Sequence, residues 1–406
     1  MTTRRALLQG MAFCAAGALI RPSFVRAATP ADARFVLVIL RGGVDGLSVV
    51  APVGDPAYAG ARGALALGKP ETKDGALALD DFFGLHPALT NLHARYQQGE
   101  LLPVHAVASP YRERSHFDGQ NVLENGTGKP FGAADGWLNR ALASLPQSNG
   151  NGPKGLAIGQ NVPLVLRGAA HASSWAPSVL PPVDEDTVTR LMDLYSDDKV
   201  LGPALAEALA TDATLAEAGA DTMASAARAG LAKSARLGAQ VATTAGKLLS
   251  EPDGPRVGVL DIGGFDTHAN EGAAQGVLAI RLGALDQTLD ALAKAMAPVW
   301  KKTVVLAITE FGRTAATNGT RGTDHGTATV ALLLGGAVAG GRVLADWPGL
   351  SPSALYQNRD LKPTLDLRAI EKGVLADHLG LSPSTLAQAV FPQSESVAPA
   401  RGLIRA

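Results

Sequence analysis

The feature that most constrains the fold is the run Arg34–Leu40, in which every residue after the first is apolar and several are β-branched. Such a run indicates a strand buried on both faces, as in a parallel sheet that is covered by helices. Similar runs lie at 101–107, 256–261, 303–309 and 330–334, with helical patterns between them. We therefore predict an α/β fold with a mainly parallel central sheet and helices on both faces.

The segments between the strands favour helices by their apolar spacing and their end signals. The predicted helices lie at 86–98, 117–124, 135–143, 276–300, 367–379 and 382–390. A further short strand is predicted at 155–159. The region 184–250 differs, because it is rich in alanine and nearly free of proline, and it predicts two to four helices outside the sheet. We interpret it as a helical insertion in a single domain that spans 28–406.

The N-terminus has the pattern of an export signal. Arg4 and Arg5 precede the apolar run 11–20, which is too short to cross a membrane, since crossing takes about 20 apolar residues. Paired arginines are typical of the twin-arginine route for folded proteins; the alternative is a chance pair in a frayed terminus. We predict a signal peptide at 1–27, recognition by the twin-arginine export machinery and a periplasmic or secreted product. No stable membrane anchor is expected.

The overall composition excludes some classes of function. A net charge of −1 over 406 residues gives no reason to expect a nucleic-acid partner. At 46% hydrophobic residues, the chain has enough apolar surface to form a large core, and disorder is not expected.

Carboxylate and imidazole side chains occur at four predicted strand ends. In α/β sheets, reactive groups gather just past the carboxyl ends of the strands. The candidate side chains are Asp45, Asp266, His268, Glu310, Asp324 and His325. This mixture of ligands suits a divalent metal ion that is held by several elements. We therefore predict a metal site at this edge of the sheet.

Each of these side chains also has a structural alternative. Asp45, beside glycines, could be a turn residue. The segment Asp266–His268 could form a turn that caps the next helix, and 324–325 could supply a helix cap and a surface histidine. Glu310 could pair with Arg313, because an unpaired buried carboxylate is costly. The joint pattern favours the metal site, because all the residues fall where the fold places a site.

A second reactive segment opens the predicted helix at 117–124. Ser115 could be a nucleophile if a metal lowers its pKa, and His116 could be a ligand or a general acid. Alternatively, Ser115 caps the helix together with Asp118. Four arginines, Arg41, Arg112, Arg114 and Arg313, could clamp an anionic ester, with Arg313 or Arg114 orienting it, or they could be solvated charges.

Motifs spread over nearly the whole chain carry a family resemblance. They are LRGGVDGL (40–47), LHPAL (85–89), RSHF (114–117), DGWLN (135–139), FDTH (265–268), TEFGRT (309–314), TDHG (323–326) and DLKPTLD (360–366). By these motifs the chain is identified as a member of the bacterial family known as domain of unknown function 1501. Its members are typically exported with a twin-arginine signal. The fold of the family is similar to that of the alkaline phosphatase and sulfatase superfamily.

The resemblance to this superfamily implies a two-metal site that cleaves phosphate or sulfate esters through a covalent hydroxyl intermediate. Asp45 resembles the metal-bridging aspartate of the superfamily, and Ser115 lies about where its nucleophile would be. His325, followed by a small residue and an apolar strand, resembles the last histidine ligand.

Two features depart from the superfamily pattern. The pair Asp266–His268 has the spacing Asp-x-His, where the superfamily has Asp-x-x-x-His. Glu310 stands where the superfamily has Asp, and Phe311 stands where it has an adjacent His ligand. The loss of one imidazole leaves open whether a second metal is held, and His116 or Asp324 are candidates to replace the lost ligand.

Together these observations predict an exported metal-dependent hydrolase that acts on a small anionic phosphate or sulfate ester. It would use one or two divalent ions, Zn²⁺, Mn²⁺ or Mg²⁺. The alternative is a non-catalytic exported binding or assembly protein that retains the alkaline-phosphatase-like fold. The altered ligand set favours this alternative, whereas the carboxylates and histidines at four strand ends favour the enzyme.

Overall fold

The computed structural model describes residues 32–146, 155–177, 185–195, 198–206, 208–209 and 234–405. The predicted signal peptide at 1–27 lies outside these residues, and so does much of the predicted insertion at 184–250. Among the helices in the described ranges, none has the length and apolar character needed to cross a membrane.

The strands form two sheets. They are β1 (Arg34–Leu40), β2 (Val50–Ala51), β3 (Leu77–Ala78), β4 (Gly84–Leu85), β5 (Leu101–Ala108), β6 (Gly155–Ile158), β7 (Ala172–Trp175), β8 (Val257–Ile262), β9 (Thr303–Ile308), β10 (Thr329–Leu334) and β11 (Leu365–Asp366). Within the described residues, eight strands form the central sheet in the order β11-β5-β10-β9-β1-β8-β6-β7, and β2, β4 and β3 form a small separate sheet. In the central sheet, β10 runs antiparallel to β5 and β9, and the other pairs are parallel.

Helices connect most of the strands. They include α1 (Gly46–Val49), α2 (Tyr58–Arg62), α3 (Thr90–Gln97), α4 (His116–Asn125), α5 (Trp137–Ser144), α6 (Glu185–Tyr195), α7 (Ser234–Ser250), α8 (Val277–Ala295), α9 (Leu367–Asp377) and α10 (Pro383–Thr385). Short 3₁₀ segments lie at Gly63–Leu65, Leu164–Leu166, Trp300–Lys302 and Pro352–Ala354, and a π-helical turn spans Leu386–Val390.

The hydrophobic core lies on both faces of the sheet, because successive residues of a strand point to opposite sides. Val36 and Val38 of β1 pack in one core with residues of α7 and α8. Phe35 and Leu37 pack in the other core with residues of α5 and α9. The predicted α/β class, with a mainly parallel sheet covered on both faces, is thereby confirmed.

Some predicted elements begin or end elsewhere. The helix predicted at 86–98 begins at Thr90. The residues before Thr90 are not helical, because the backbone N–H of His86 donates to the carbonyl of Val49 and residues 87–88 form a turn. The long helix α8 ends at Ala295, five residues before the predicted end. Helix α7, at the end of the predicted insertion, packs against α8 and β8 and contributes to the core of the sheet.

The direction of β10 determines which loops meet. Strands β1, β5, β8 and β9 run parallel to one another, so their carboxyl ends share one edge of the sheet. Because β10 is antiparallel, its N-terminus lies at this same edge. The segment that precedes β10 therefore meets the segments that follow the other four strands.

Candidate metal centre

At the carboxyl ends of the strands, the loops after β1 and β8 pack so closely that only glycine fits at position 42. Gly42, after β1, has a φ of 119°, and a Cβ there would lie 2.5 Å from the backbone nitrogen of Asp266. Only glycine adopts such a conformation easily and allows this approach. The β1 loop therefore lies directly against the β8 loop that carries Asp266.

Asp266 is at the centre of a group of imidazoles. The Nε2 atom of His116 lies 3.4 Å from its Oδ2, and the Nε2 atom of His325 lies 3.3 Å from its Oδ1. Ligand atoms of these three residues all lie within 4.8 Å of one another. The Nε2 atom of His268 lies 2.9 Å from Asp266 Oδ1 and 2.9 Å from Nε2 of His325. Four predicted site residues therefore meet at one point.

The opposite ring nitrogen of each of two histidines is held by an acceptor. Nδ1 of His116 donates to Oε1 of Glu310 at 2.7 Å, and Nδ1 of His325 donates to the carbonyl of Arg114 at 2.8 Å. These acceptors hold a proton on Nδ1 of each ring, so that each Nε2 is directed at Asp266. This outer hydrogen bond is typical of histidines that ligate metals.

His268 has a similar outer partner in Asp324. Its Nδ1 lies 3.4 Å from Oδ1 of Asp324, and that oxygen also accepts a hydrogen bond from Asn318 at 3.0 Å. The hydrogen bond from Asn318, opposed by partial burial and aided by His268, lowers the pKa of the Asp324 carboxyl. Asp324, which was predicted as a ligand, lies behind His268, where it can orient the ring.

The arrangement fits a divalent cation. Nε2 of His116 is buried and has no hydrogen-bond partner within the described residues. Nε2 of His325, whose Nδ1 donates to the carbonyl of Arg114, lies 2.9 Å from Nε2 of His268 and 3.3 Å from Oδ1 of Asp266, so one cation could be bound by all three atoms. Each Nε2 atom lies 2.9–3.4 Å from the Asp266 carboxylate, close to the roughly 3.3 Å between two ligands of a tetrahedral ion with Zn–N bonds of about 2.0–2.1 Å.

Glu310 supports His116 and does not face Asp266 directly. Besides the bond from His116, its Oε1 accepts from the backbone N–H of Gly42 at 2.9 Å and from Nε2 of Gln120 at 3.1 Å. Its Oε2 accepts from the hydroxyl of Thr309 at 3.0 Å. Burial would raise the pKa of Glu310, but these hydrogen bonds, that of His116 first, hold the pKa below its ordinary value. Both oxygens of this predicted ligand are therefore occupied.

Arg313 is buried and anchors Asp266. Its Nη1 donates to Oδ1 of Asp266 at 2.7 Å, while Nε and Nη2 donate to the hydroxyl and carbonyl of Thr323 at 3.1 and 2.6 Å. Burial opposes ionisation of Asp266, but the bond from Arg313 brings its pKa below the ordinary value. All three guanidinium nitrogens are engaged inside the protein. Arg313 was predicted to contact the ester, but in the structure it holds the Asp266 carboxylate in place.

Asp45 lies in a separate buried cluster. Helix α1 begins directly after it, and its Oδ1 accepts from the backbone N–H of Leu47 as an N-cap. Its Oδ2 accepts from the hydroxyl of Ser48 at 3.0 Å and pairs with Arg62. Arg62 also lies 3.8 Å from Oε1 of Glu271. The cap and the ion pair therefore engage both oxygens of this predicted metal ligand.

Ser115 precedes His116 at the start of α4. Its side chain is half-buried and makes no cap hydrogen bond, so the capping box with Asp118, which was the alternative to a nucleophile, does not form. Its role as a nucleophile stays a prediction. Arg114 is engaged with Asp360 at 2.7 Å and with Gln357 at 2.7 Å.

The comparison with protein families identifies the chain. A family model described as "Protein of unknown function (DUF1501)" matches residues 32–391. The chain belongs to this family. The match includes every residue of the candidate metal centre, and the resemblance inferred from the motifs is confirmed. Among curated proteins, none matches the chain.

Solved structures also resemble this member of the DUF1501 family. One is the crystal structure of Ps i-CgsB in complex with k-i-k-neocarrahexaose, with a TM-score of 0.40 and 11% identity over 89% of this chain and 75% of that one. Another is the phosphonate monoester hydrolase of Agrobacterium radiobacter, with a TM-score of 0.39 and 12% identity over 86% and 74% of the two chains.

Several supporting residues of this family member were not predicted from the sequence. Gln120 lies four residues after His116 on α4, and this spacing puts both on one helix face, which could have indicated the link. Phe311 packs against the rings of His116 and His325, with centroids 4.9 and 5.1 Å apart. The partnership of Arg62 with Asp45 has no sequence signal, because it depends on how two loops fold against each other.

Proposed function

We propose that this protein is an exported, metal-dependent hydrolase of phosphate or sulfate esters. The observation that carries the proposal is the convergence of the imidazoles of His116, His268 and His325 on Asp266. The outer hydrogen bonds of His116 and His325 hold a proton on Nδ1 and direct Nε2 of both rings at Asp266. A surface cluster without a ligand has no need for such matched orientation.

One divalent ion is proposed, held by His116, Asp266, His268 and His325. The sequence left one or two ions open, but Asp45 is paired elsewhere in the structure. A donor set with three imidazoles and one carboxylate suits Zn²⁺, whereas Mg²⁺ prefers oxygen ligands; Mn²⁺ is less well matched.

When bound, the ion supplies Lewis acidity toward the ester oxygens and lowers the pKa of a neighbouring hydroxyl group. The residues of the chain prepare the site for it. Glu310 keeps the proton of His116 on Nδ1, and Arg313 fixes the Asp266 carboxylate as an anion. Ser115 has a hydroxyl that the helix cap does not use, and we propose it as the nucleophile.

Export is proposed through the twin-arginine route, to the periplasm or outside the cell. The proposal rests on the predicted signal at 1–27. It is supported by the origin of the ligands, because segments far apart in the sequence must fold together before the metal centre exists. A route for folded proteins allows the ion to be inserted before export.

Elemental analysis of the purified mature protein tests the metal, and a panel of phosphate and sulfate esters tests the activity. We expect about one equivalent of Zn²⁺ and turnover of at least one ester. Asp266→Asn and His325→Ala should each lose both. Lys294→Ala, at an exposed position on α8, should retain both. A protein that binds no divalent ion would contradict the proposal.

A second candidate function is a non-catalytic exported binding or assembly protein. The observation that favours it is the engagement of the arginines that were expected to hold an anionic ester. Arg41 pairs with Glu124 and Asp261, Arg114 pairs with Asp360, and Arg313 is buried. A protein that binds the ion fully but turns over no ester would support this candidate.

A further inference from the structure

A groove begins beside the metal centre and extends over one end of α4. It has a volume of about 540 Å³, within the roughly 300–1,000 Å³ range of small-molecule sites. Gln120 lines the groove and donates to Glu310, the same carboxylate that accepts from His116. Gln120 and Glu310 therefore connect the groove to the imidazole of His116.

Two phenylalanines line this groove and face solvent. Phe117 is 87% exposed and Phe131 is 76% exposed, the highest values among the large apolar side chains in the described part of the chain. Leaving two such rings in water costs the stabilisation that their burial would give. Their placement beside one groove indicates a ligand that covers them.

The backbone at Phe131 is also strained. Its φ is 55°, a left-handed conformation that is uncommon for a bulky residue. The backbone N–H of Phe131 donates to Oδ1 of Asn121 at 2.6 Å, which holds the turn in place. Strain that the surroundings maintain is typical of functional positions.

The polar walls of the groove are neutral overall. Its charged residues are two arginines, Arg41 and Arg167, and two carboxylates, Glu124 and Asp261, and Arg41 bonds to both carboxylates at 2.6 and 3.0 Å. Glu124 also accepts from the backbone N–H of Val165, which follows the lining residue Leu164, so this bond connects the two sides of the groove. The groove has no net charge to select an anionic or cationic chain.

Amide groups provide the remaining polar surface. The side chains of Asn121 and Asn161 line the groove, and the Nδ2 group of Asn121 makes no hydrogen bond within the described residues. Arg167 uses Nε for the carbonyl of Val162, and its terminal nitrogens are available at the surface. Amides and a guanidinium together can pair with groups that both donate and accept.

We propose that this groove binds a neutral carbohydrate, whose apolar ring faces stack on Phe117 and Phe131. The C–H faces of a pyranose suit aromatic rings, and its hydroxyls both donate and accept, as Asn121, Asn161 and Arg167 require. A lipid chain would need an apolar wall in place of these amides. The assignment of the sugar as the alcohol part of the ester rests on the proposed function, whereas the binding itself does not.

The test is calorimetric titration of the mature protein with neutral hexasaccharides of glucose, galactose, mannose and N-acetylglucosamine. At least one should bind. Phe117→Ala and Phe131→Ala should each weaken it at least tenfold, while Phe117→Tyr, which keeps the aromatic face, should stay within threefold. Ile280→Ala, which removes a 71% exposed side chain on α8 outside the groove, should change nothing. All these side chains are exposed, so the variants should fold.

The same titration after removal of metal by a chelator separates the two proposals. The Kd for the sugar should change less than threefold when the metal is removed, because the groove itself contains no metal ligand. A protein that binds sugar but turns over no ester would overturn the proposed hydrolase activity and leave the groove assignment intact. A hexasaccharide with a Kd of roughly 1 mM would occupy most of the protein at 10 mM. The groove assignment is therefore overturned if none of the hexasaccharides binds at that concentration. It is also overturned if binding ignores both alanine variants, or if an uncharged peptide binds there instead.

Discussion

Glu310 and His116 form a hydrogen bond of 2.7 Å on the side of the imidazole that points away from Asp266. The carboxylate can only accept when ionised, so Nδ1 of His116 carries a proton and Nε2 is directed at Asp266. The bond from His325 to the carbonyl of Arg114 does the same for the second ring. The two rings are therefore oriented before an ion binds.

Removing this outer hydrogen bond should weaken metal binding. In Glu310→Gln, an amide replaces the carboxylate, and we expect the affinity for Zn²⁺ to fall about 10–100-fold. Competition with a chelator of known affinity measures the change. Glu100→Gln, at the opposite end of β5, removes a carboxylate that pairs with Arg95 and should leave the affinity unchanged. Equal affinities in the two variants would exclude a role for Glu310 in orienting the ring.

The close approach at Gly42 should be sensitive to a single methyl group. Gly42→Ala introduces a Cβ 2.5 Å from the backbone of Asp266, at a φ of 119°, and should cost about 1–3 kcal/mol in the free energy of unfolding. Zn²⁺ affinity should fall as the β8 loop moves. Gly60→Ala is the matched control, because its Cβ would meet nothing within 4 Å. Similar unfolding curves for both variants would show that the loops are not in contact.

Arg62 should be essential for stability because it is the cation that pairs with the buried Asp45 carboxylate and lies beside the buried carboxyl group of Glu271. Arg62→Met leaves Asp45 and Glu271 without that cation, and we expect a loss of about 3–5 kcal/mol in urea unfolding. The exposed pair of Lys294 with Asp290 offers a comparison, and Lys294→Ala should cost less than about 1 kcal/mol. A loss of less than about 1 kcal/mol in Arg62→Met would show that the buried ion pair does not contribute to stability.

The same cluster should make stability depend on pH. Burial, and then the neighbouring Asp45, raises the pKa of Glu271 from 4.5 to about 9. Because the folded protein holds this proton more tightly than the unfolded chain, the stabilisation is complete below pH 4.5 and is lost as the pH rises toward 9. Across that window the contribution changes by up to about 1.4 kcal/mol per pH unit.

Glu271→Gln should remove this slope, since an amide does not titrate. Urea unfolding between pH 5.5 and 8.5, within the window set by the pKa of about 9, compares the two proteins. Parallel pH profiles for the variant and the parent would indicate that Glu271 titrates near its ordinary pKa.

Much of the fold was predictable because its strands are buried on both faces. The run Arg34–Leu40 became β1 with identical bounds, and the strand predicted at 303–309 became Thr303–Ile308. The direction of β10 was not predictable, because an apolar run has the same pattern in a parallel and an antiparallel sheet. The short strand β11 was missed, since its two residues carry no periodicity.

The metal centre was predictable in composition and less so in the role of each residue. The rule that strand ends gather reactive groups identified Asp266, His268 and His325. It could not separate a ligand from its supporting acceptor, because Glu310 and His116 are 194 residues apart and their hydrogen bond depends on tertiary structure. Asp45 was likewise assigned to the metal because it follows β1, and its ion pair with Arg62, which lies 17 residues further on, carries no sequence signal.

The antiparallel β10 also has a consequence for the order of events during synthesis. In the central sheet, β5 and β9 are joined through β10, which the ribosome makes after both. Until β10 has been synthesised, neither β5 nor β9 has its β10 neighbour. His325, which immediately precedes β10, does not yet lie beside Asp266. The complete ligand set therefore forms only after β10 has been translated. A molecule that holds the metal is thus one in which β10 has already paired with β5 and β9.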